Sequence, residues 1–353
     1  MADLFENPIG TDGFDFVEYA APDPKVLHDL FKSLGFKPAA RHRRENKILY
    51  AQGDVKFIIN EQPGGYAEGF AKLHGPCACA MAFRVKDAKF AYQEALKRGA
   101  KAVDPGYAKG EKQMPCIEGI GGSRLYLVDQ YGPKFPHVAD FVPVVGGDDY
   151  QDAGLTYLDH LTHNVFRGNM EKWADFYEQV FNFREIRYFD IEGKLTGLIS
   201  KAMTSPCGKI RIPINESRDD ISQIAEYLNE YEGEGIQHVA LGTDDIYRST
   251  DILRSHGLEF QDTPETYFEQ LPERIKEHGE DLEALQKRGI LMDGAPTEGQ
   301  GLLLQIFTKN VIGPIFFEII QRKGNEGFGE GNFQALFDSI ELDQVRRGVL
   351  QDK

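Results

Sequence analysis

The stretch LDHLTHNVFRGNMEKWADFYEQVFN, residues 158–182, contains the plan of the whole chain. A strand-like run enters Asn169, a helical pattern follows with Trp173, Phe176, Val180 and Phe181 on one face, and Asn182 ends it. Asn and Asp suit a helix start because their side-chain oxygens accept a free N–H of the first turn. Gly and Asn suit its end because they tolerate a left-handed backbone. The same order occurs three more times. Asp23 to Gly35, Asp87 to Gly99, Asn169 to Asn182 and Asp245 to Gly257 are separated by 12, 12, 13 and 12 residues. Each interval is predicted to hold one three-turn helix, with Pro24 at the first-turn position that accepts proline.

Around these helices the sequence reads as strands. FDFVEYA, KILYAQ and DVKFIIN belong to the first unit, and TYLDHLTHNV, LTGLIS and KIRIPIN to the third. Each unit is therefore strand, helix, then two or three strands, an α+β plan. Two units make about 140 residues, the size of an ordinary domain. The polar, Gly-rich VVGGDDYQDAG at 144–154 then separates an N-terminal domain, 1–148, from a C-terminal one, 149–353. The fourth unit departs from the plan: Glu318 follows Gly257 at a separation of 61 residues, and between them PETYFEQLPERI and EDLEALQKRG read as helices. After the last strand, QRKGNEGFGEG reads as a flexible hinge, and a closing helix presents Phe333, Leu336, Phe337 and Ile340 on one face.

A net charge of −16 argues against nucleic acid as a partner. No apolar run approaches the ~18 residues that span a bilayer, and the opening MADLFENPIG has neither a basic nor an apolar leader region. Cys77, Cys79, Cys116 and Cys207 are too irregularly placed for a disulfide framework or a C-x-x-C site and are read as packing residues. A cytoplasmic protein fits this usage.

Of the nine histidines, His28, His42, His256 and His278 lie in polar contexts and are read as solvated, and His74 and His137 stand beside prolines. Three others occupy strands at unit entrances: His160 and His163 in LDHLTHNV, and His238 in GIQHVAL. A buried imidazole needs partners, and so does Glu318 in the apolar run IFFEIIQR. Two imidazoles and one carboxylate are the facial ligand set of non-haem Fe(II). Residues three apart on a strand face opposite sides, so only one of His160 and His163 points inward, and parity does not say which. Counting back from the helix starts, the first half carries Glu18 and Ala80 at the corresponding places and is read as a scaffold without a metal centre.

LDHLTHNV, IPINES, SQI, GIQHVAL, LLQIFTK, FFEIIQR and GFGEGNF, in this order and across essentially the whole chain, resemble the 4-hydroxyphenylpyruvate dioxygenases. That family has the vicinal-oxygen-chelate fold. The resemblance implies two tandem domains of paired β-α-β-β-β modules, each forming an open barrel, plus the closing helix. It implies Fe(II) held by His160, the histidine of D-H-x-x-x-N-V, with His238 and Glu318. The family's catalytic positions map onto Ser205, Asn215, Gln305 and Phe333, and its substrate-binding positions onto Gln223, Phe307, Phe316, Phe328 and Asn332. One departure is visible: the usual Asn-Glu-Pro reads Asn215, Glu216, Ser217.

The implied reaction takes 4-hydroxyphenylpyruvate and dioxygen to homogentisate and carbon dioxide, in tyrosine and phenylalanine catabolism. The substrate is its own 2-oxo acid, so no external oxo acid is required. A homo-oligomer, dimer or tetramer, is the implied assembly. Hydroxymandelate synthase resembles the same motifs and uses the same substrate and iron, but Asn215 and Phe333 lean toward the dioxygenase. An extradiol catechol dioxygenase shares the duplicated modules without needing GFGEGNF. A metal-free ligand-binding protein on this fold is the alternative outside enzymology.

Overall fold

All four helix stops have left-handed backbone: φ is 81° at Gly35, 98° at Gly99, 58° at Asn182 and 85° at Gly257. The computed structural model describes residues 2–106, 114–133, 138–144, 151–192, 197–220 and 222–336. The helices ended by these residues are α1 (Lys25–Ser33), α3 (Ala88–Lys97), α4 (Met170–Phe181) and α6 (Ile246–Ser255). Three of the four starts act as expected, with Asp23 accepting from Lys25 N at 3.0 Å, Asp87 from Phe90 N at 2.8 Å and Asp245 from Arg248 N at 3.0 Å. Asn169 does not cap, because its amide donates to Glu234 at 2.6 Å. Two further helices, α2 (Tyr66–His74) and α5 (Gln223–Glu230), interrupt the strand-only connections expected between paired units. The insertion forms α7 (Glu265–Arg274) and α8 (Leu282–Arg288).

The strands form two eight-stranded sheets. The first contains β1 (Thr11–Ala20), β2 (Lys37–His42), β3 (Lys47–Gln52), β4 (Val55–Asn60), β5 (Cys77–Val85), β6 (Cys116–Glu118), β7 (Arg124–Val128) and β8 (Phe141–Pro143), in the order 6-7-5-1-4-3-2-8. The second contains β9 (Leu155–Val165), β10 (Arg184–Glu192), β11 (Gly197–Thr204), β12 (Arg211–Ser217), β13 (Gly235–Thr243), β14 (Leu291–Gly294), β15 (Leu302–Phe307) and β16 (Phe316–Lys323), in the order 10-11-12-9-13-16-15-14. Each half is thus two β-α-β-β-β modules joined at a central antiparallel pair, β1 with β5 and β9 with β13. One apolar core, including Phe31, Phe57, Phe83, Phe181, Phe183 and Phe317, runs through both halves. Phe57 and Phe317 meet across them at 5.9 Å.

Register makes the duplication exact enough to compare position by position. Ala82 pairs with Tyr126 as Ala240 pairs with Glu318, and Ala80 faces Glu18 as His238 faces Thr162. The counterparts of His160, His238 and Glu318 are therefore Phe16, Ala80 and Tyr126; Glu18 matches Thr162 instead. Phe16 and Tyr126 pack 5.8 Å apart in an apolar cluster with Ala80, so the first half has hydrophobic packing where the second gathers ligand-type side chains.

The cysteines are buried, and burial pushes the Cys77 and Cys116 thiols up to about 12, which suits packing rather than reactivity. His28 is not a solvated residue: its ring nitrogens meet Tyr50 Oη at 2.8 Å and Glu61 at 2.7 Å. Residues 330–336 begin the closing helix, whereas Phe337 and Ile340 lie outside the described residues.

Candidate metal centre

Three adjacent strands bring the candidate ligands together. Ala240 on β13 sits opposite His160 on β9 and opposite Glu318 on β16, while His238 lies two residues before Ala240 on the same face. His160 Nε2 lies 3.3 Å from His238 Nε2 and 3.2 Å from Glu318 Oε2, and His238 Nε2 lies 3.5 Å from the same oxygen. All three side chains are buried, and their ligand atoms lie within 4.8 Å of one another. A first-row metal with bonds of about 2.1 Å holds neighbouring ligand atoms roughly 3 Å apart, which matches this triangle.

Hydrogen bonding sharpens the fit. His160 Nδ1 meets Asp159 Oδ1 at 2.8 Å, and His238 Nδ1 meets Gln237 Oε1 at 2.5 Å. Both partners are acceptors, so the ring protons belong on Nδ1 and the two Nε2 lone pairs converge on a carboxylate. The Thr162 hydroxyl also meets His238 Nε2 at 3.0 Å and can donate to it, whereas His160 Nε2 and Glu318 Oε2 face each other as acceptors that a proton or a cation must bridge, and two nitrogens and one oxygen suit Fe(II). Burial disfavours charge on both rings; it lowers His238, whereas at His160 the carboxylates of Glu318 and Asp159 overcome it and raise the ring's affinity for a proton. Burial would likewise raise Glu318, but the two imidazoles hold it below its ordinary value.

His163 faces the other way, where its Nε2 meets Tyr177 Oη of α4 at 2.7 Å. Burial pushes its pKa down to about 3. The unfolded chain binds a proton here near pH 6.5 that the folded chain refuses, so this group lowers stability as pH falls from 6.5 toward 3. His163→Gln is expected to flatten that acid limb in denaturant titrations at pH 7 and pH 4.5. An unchanged slope would remove His163 as its cause.

A cavity of 330 Å³ opens beside His238, lined by Asn215, Gln223, Gln237, Phe307, Phe316 and Phe333 among others. That volume falls in the ordinary range for small-molecule pockets. Phe316 stacks on His238 at 4.8 Å, and Phe307 stands edge-on to Phe316 at 5.9 Å. Phe328 meets the His160 ring edge-on at 5.4 Å. Gln305 and Asn332 stand behind the ligands: Gln305 Nε2 donates to Glu318 at 3.4 Å, Asn332 Nδ2 donates to Gln305 at 3.0 Å, and Tyr267 Oη donates to Asn332 at 2.6 Å.

Ser205 is not brought to this group. It lies in the turn after β11, where its hydroxyl accepts from Ile210 N and contacts Cys207 Sγ, both at 3.1 Å. The serine paired with Asn215 is Ser200. Gln237 was also not singled out in sequence; only its place before His238 pointed to it. Asn164 is a further miss: it is buried, and neither atom of its amide has a hydrogen-bond partner in the structure.

The GFGEG segment, expected to act as a hinge, is tied down by hydrogen bonds in this structure. Gly327 N bonds Asn325, Phe328 N bonds Glu330 and Gly331 N bonds Asp293, at 2.7, 3.0 and 2.9 Å. A side chain at Gly329 would lie 1.7 Å from Gln305 Oε1. Close approach to the site therefore explains this glycine.

Duplicated β-α-β-β-β modules with a His, His, Glu face define a class of metal-dependent dioxygenase scaffold. Residues 157–278 match the Glyoxalase/Bleomycin resistance protein/Dioxygenase superfamily, and residues 5–141 match the N-terminal model for hydroxyphenylpyruvate dioxygenase. The chain is 58% identical to a 4-hydroxyphenylpyruvate dioxygenase of Pseudomonas aeruginosa, over 98% of this chain and 97% of that one. It is also 58% identical to a Vibrio vulnificus protein named Hemolysin VllY, over 98% of each. Among solved structures, a mutant 4-hydroxymandelate synthase from Streptomyces coelicolor superposes with a TM-score of 0.80 at 25% identity, covering 95% of this chain and 99% of that one. The chain belongs to the 4-hydroxyphenylpyruvate dioxygenase family.

Proposed function

We propose that this chain converts 4-hydroxyphenylpyruvate and dioxygen to homogentisate and carbon dioxide with Fe(II) held by His160, His238 and Glu318. The observation that carries this reading is the triangle of buried ligand atoms, 3.2 to 3.5 Å on a side, beside an aromatic and amide-lined cavity. When bound, Fe(II) supplies open positions at which a 2-oxo acid and dioxygen react. The chain's own residues orient and enclose. Phe307 and Phe316 hold the substrate ring, each offset aromatic contact contributing about 1 kcal/mol. Asn215 and Gln223 address the phenol, Gln305 and Asn332 brace Glu318, and Phe328 confines His160. Phe333 and Leu336 line the cavity and help to exclude water.

In this reading residues 1–148 are the scaffold half and 149–353 the catalytic half. The step belongs to tyrosine and phenylalanine catabolism. The enzyme is a cytoplasmic homo-oligomer, a dimer or tetramer; exposed Ile186 and Tyr188 on the edge strand β10 support self-association. No helix among the described residues is long and apolar enough to cross a membrane.

Mass spectrometry of the product formed under air tests the reaction. Homogentisate and carbon dioxide are expected in equal amounts with one dioxygen consumed, while hydroxymandelate as the main product would transfer the chain to the synthase reading. Phe333→Leu is expected to raise the benzylic product, because a missing aromatic wall leaves the side chain free to approach the oxidant. An unchanged product ratio would remove Phe333 from control of ring attack.

A further inference from the structure

His160 follows a residue that has no partner across the strand pair. On β9, Leu158 faces Leu241 and His160 faces Ala240, which leaves Asp159 as the extra residue of a β-bulge. In a regular strand two successive side chains point to opposite faces, and Asp159 would turn away from its neighbour's ring. The bulge re-aims it. Asp159 Oδ1 meets His160 Nδ1 at 2.8 Å, and the carboxylate receives Arg322 through Nε at 2.7 Å and Nη2 at 2.8 Å. Arg211 Nη1 approaches the same carboxylate at 3.5 Å.

Arg322 also reaches the glycine loop. Its Nη1 donates to Asn325 O at 3.0 Å and to Gly327 O at 2.7 Å. The next residue, Phe328, carries the ring that meets His160 edge-on. One guanidinium therefore holds both the carboxylate behind His160 and the loop in front of it. We propose that Asp159 and Arg322 are a positioning pair for the metal centre, holding His160 in the tautomer and orientation that present Nε2 to the metal. This rests on the reading of His160 as a ligand. The physical basis is that an acceptor on Nδ1 keeps the Nε2 lone pair available and the ring immobile. Two hydrogen bonds from the Arg322 guanidinium fix the Asp159 carboxylate with Oδ1 facing His160 Nδ1 as an acceptor.

A rival explanation is that Asp159 only balances cations in the 480 Å³ cavity between the halves, where Arg84, Lys209, Arg211 and Arg322 mix with acids. The duplication provides the control. Asp15 is the counterpart of Asp159, buried and paired with Arg84 at 3.0 Å and Lys56 at 3.3 Å, but it precedes Phe16 and has no metal ligand to orient.

The test uses the full chain, with Co(II) affinity measured by competition against a chelator, the visible spectrum of bound Co(II), and melting of the metal-free protein. Asp159→Asn is expected to weaken Co(II) binding by about 10- to 100-fold and to shift the visible band. Asp15→Asn is expected to lower the melting temperature comparably while leaving affinity unchanged. Wild-type affinity in Asp159→Asn, or equal weakening in Asp15→Asn, overturns the proposal. If Asp159→Asn does not fold, Arg322→Lys carries the test: a smaller weakening supports the pair, and wild-type affinity overturns it. His160→Ala separates the two readings. If it abolishes Co(II) binding while Asp159→Asn does not weaken it, only the positioning pair falls; if it still binds Co(II) normally, the ligand assignment falls too.

Discussion

Replacing His160, His238 or Glu318 with alanine is expected to reduce bound iron to background and to abolish turnover, because each removal leaves two protein donors at a site that needs three. His163→Ala provides the contrast. Its ring bonds Tyr177 and takes no part in the triangle, so its loss should lower stability by about 1–3 kcal/mol while iron and turnover persist. Iron per chain by elemental analysis, together with oxygen consumption on 4-hydroxyphenylpyruvate, separates these outcomes. Full iron occupancy in His160→Ala, or loss of iron in His163→Ala, would reverse the assignment.

Gly329→Ala is expected to reduce turnover by about 10²-fold with iron retained, the scale of effect that a displacement near 1 Å can produce at a reacting site. The new methyl would overlap Gln305, whose Oε1 accepts from Asn332 and whose Nε2 donates to Glu318. Gln305 is 1% exposed and has little room to yield. Backbone strain must be separated from this displacement, since φ at Gly329 is 78° and a side chain there costs about 1–2 kcal/mol. Gly299 has φ 76° and nothing within 4 Å of an added Cβ. Gly299→Ala should therefore show the strain without the loss of turnover; equal losses in both variants would show that contact with Gln305 is not the cause.

Much of the candidate site was legible because its residues contradict their surroundings. His238 and Glu318 lie in strand sequences that are otherwise apolar, and a buried ionisable group needs a partner wherever the fold places it. Ser205 shows the opposite case. Its hydroxyl is engaged by the turn that contains it, with Ile210 N and Cys207 Sγ, rather than by the group around the ligands. The helices α2 and α5 were not anticipated, since nine and eight residues are too few to show a decisive period beside strands of similar apolar content.

By itself the sequence determined the four-unit plan, because caps, left-handed stops and apolar spacing act within a few residues of one another. It also determined the chemistry available, two imidazoles and a carboxylate in apolar strands. Strand parity left His160 and His163 open and the resemblance pointed to His160, but the physical reason that His160 faces the others lies in the tertiary structure. A bulge at Asp159 and another at Gln237 leave both ligand histidines beside their own hydrogen-bond partners, and a bulge depends on the pairing strand rather than on local residue type. Tertiary packing likewise decided the role of Gly329. Its missing side chain is required by Gln305, 24 residues earlier in the chain and in contact only because β15, β16 and the loop after them fold onto one another.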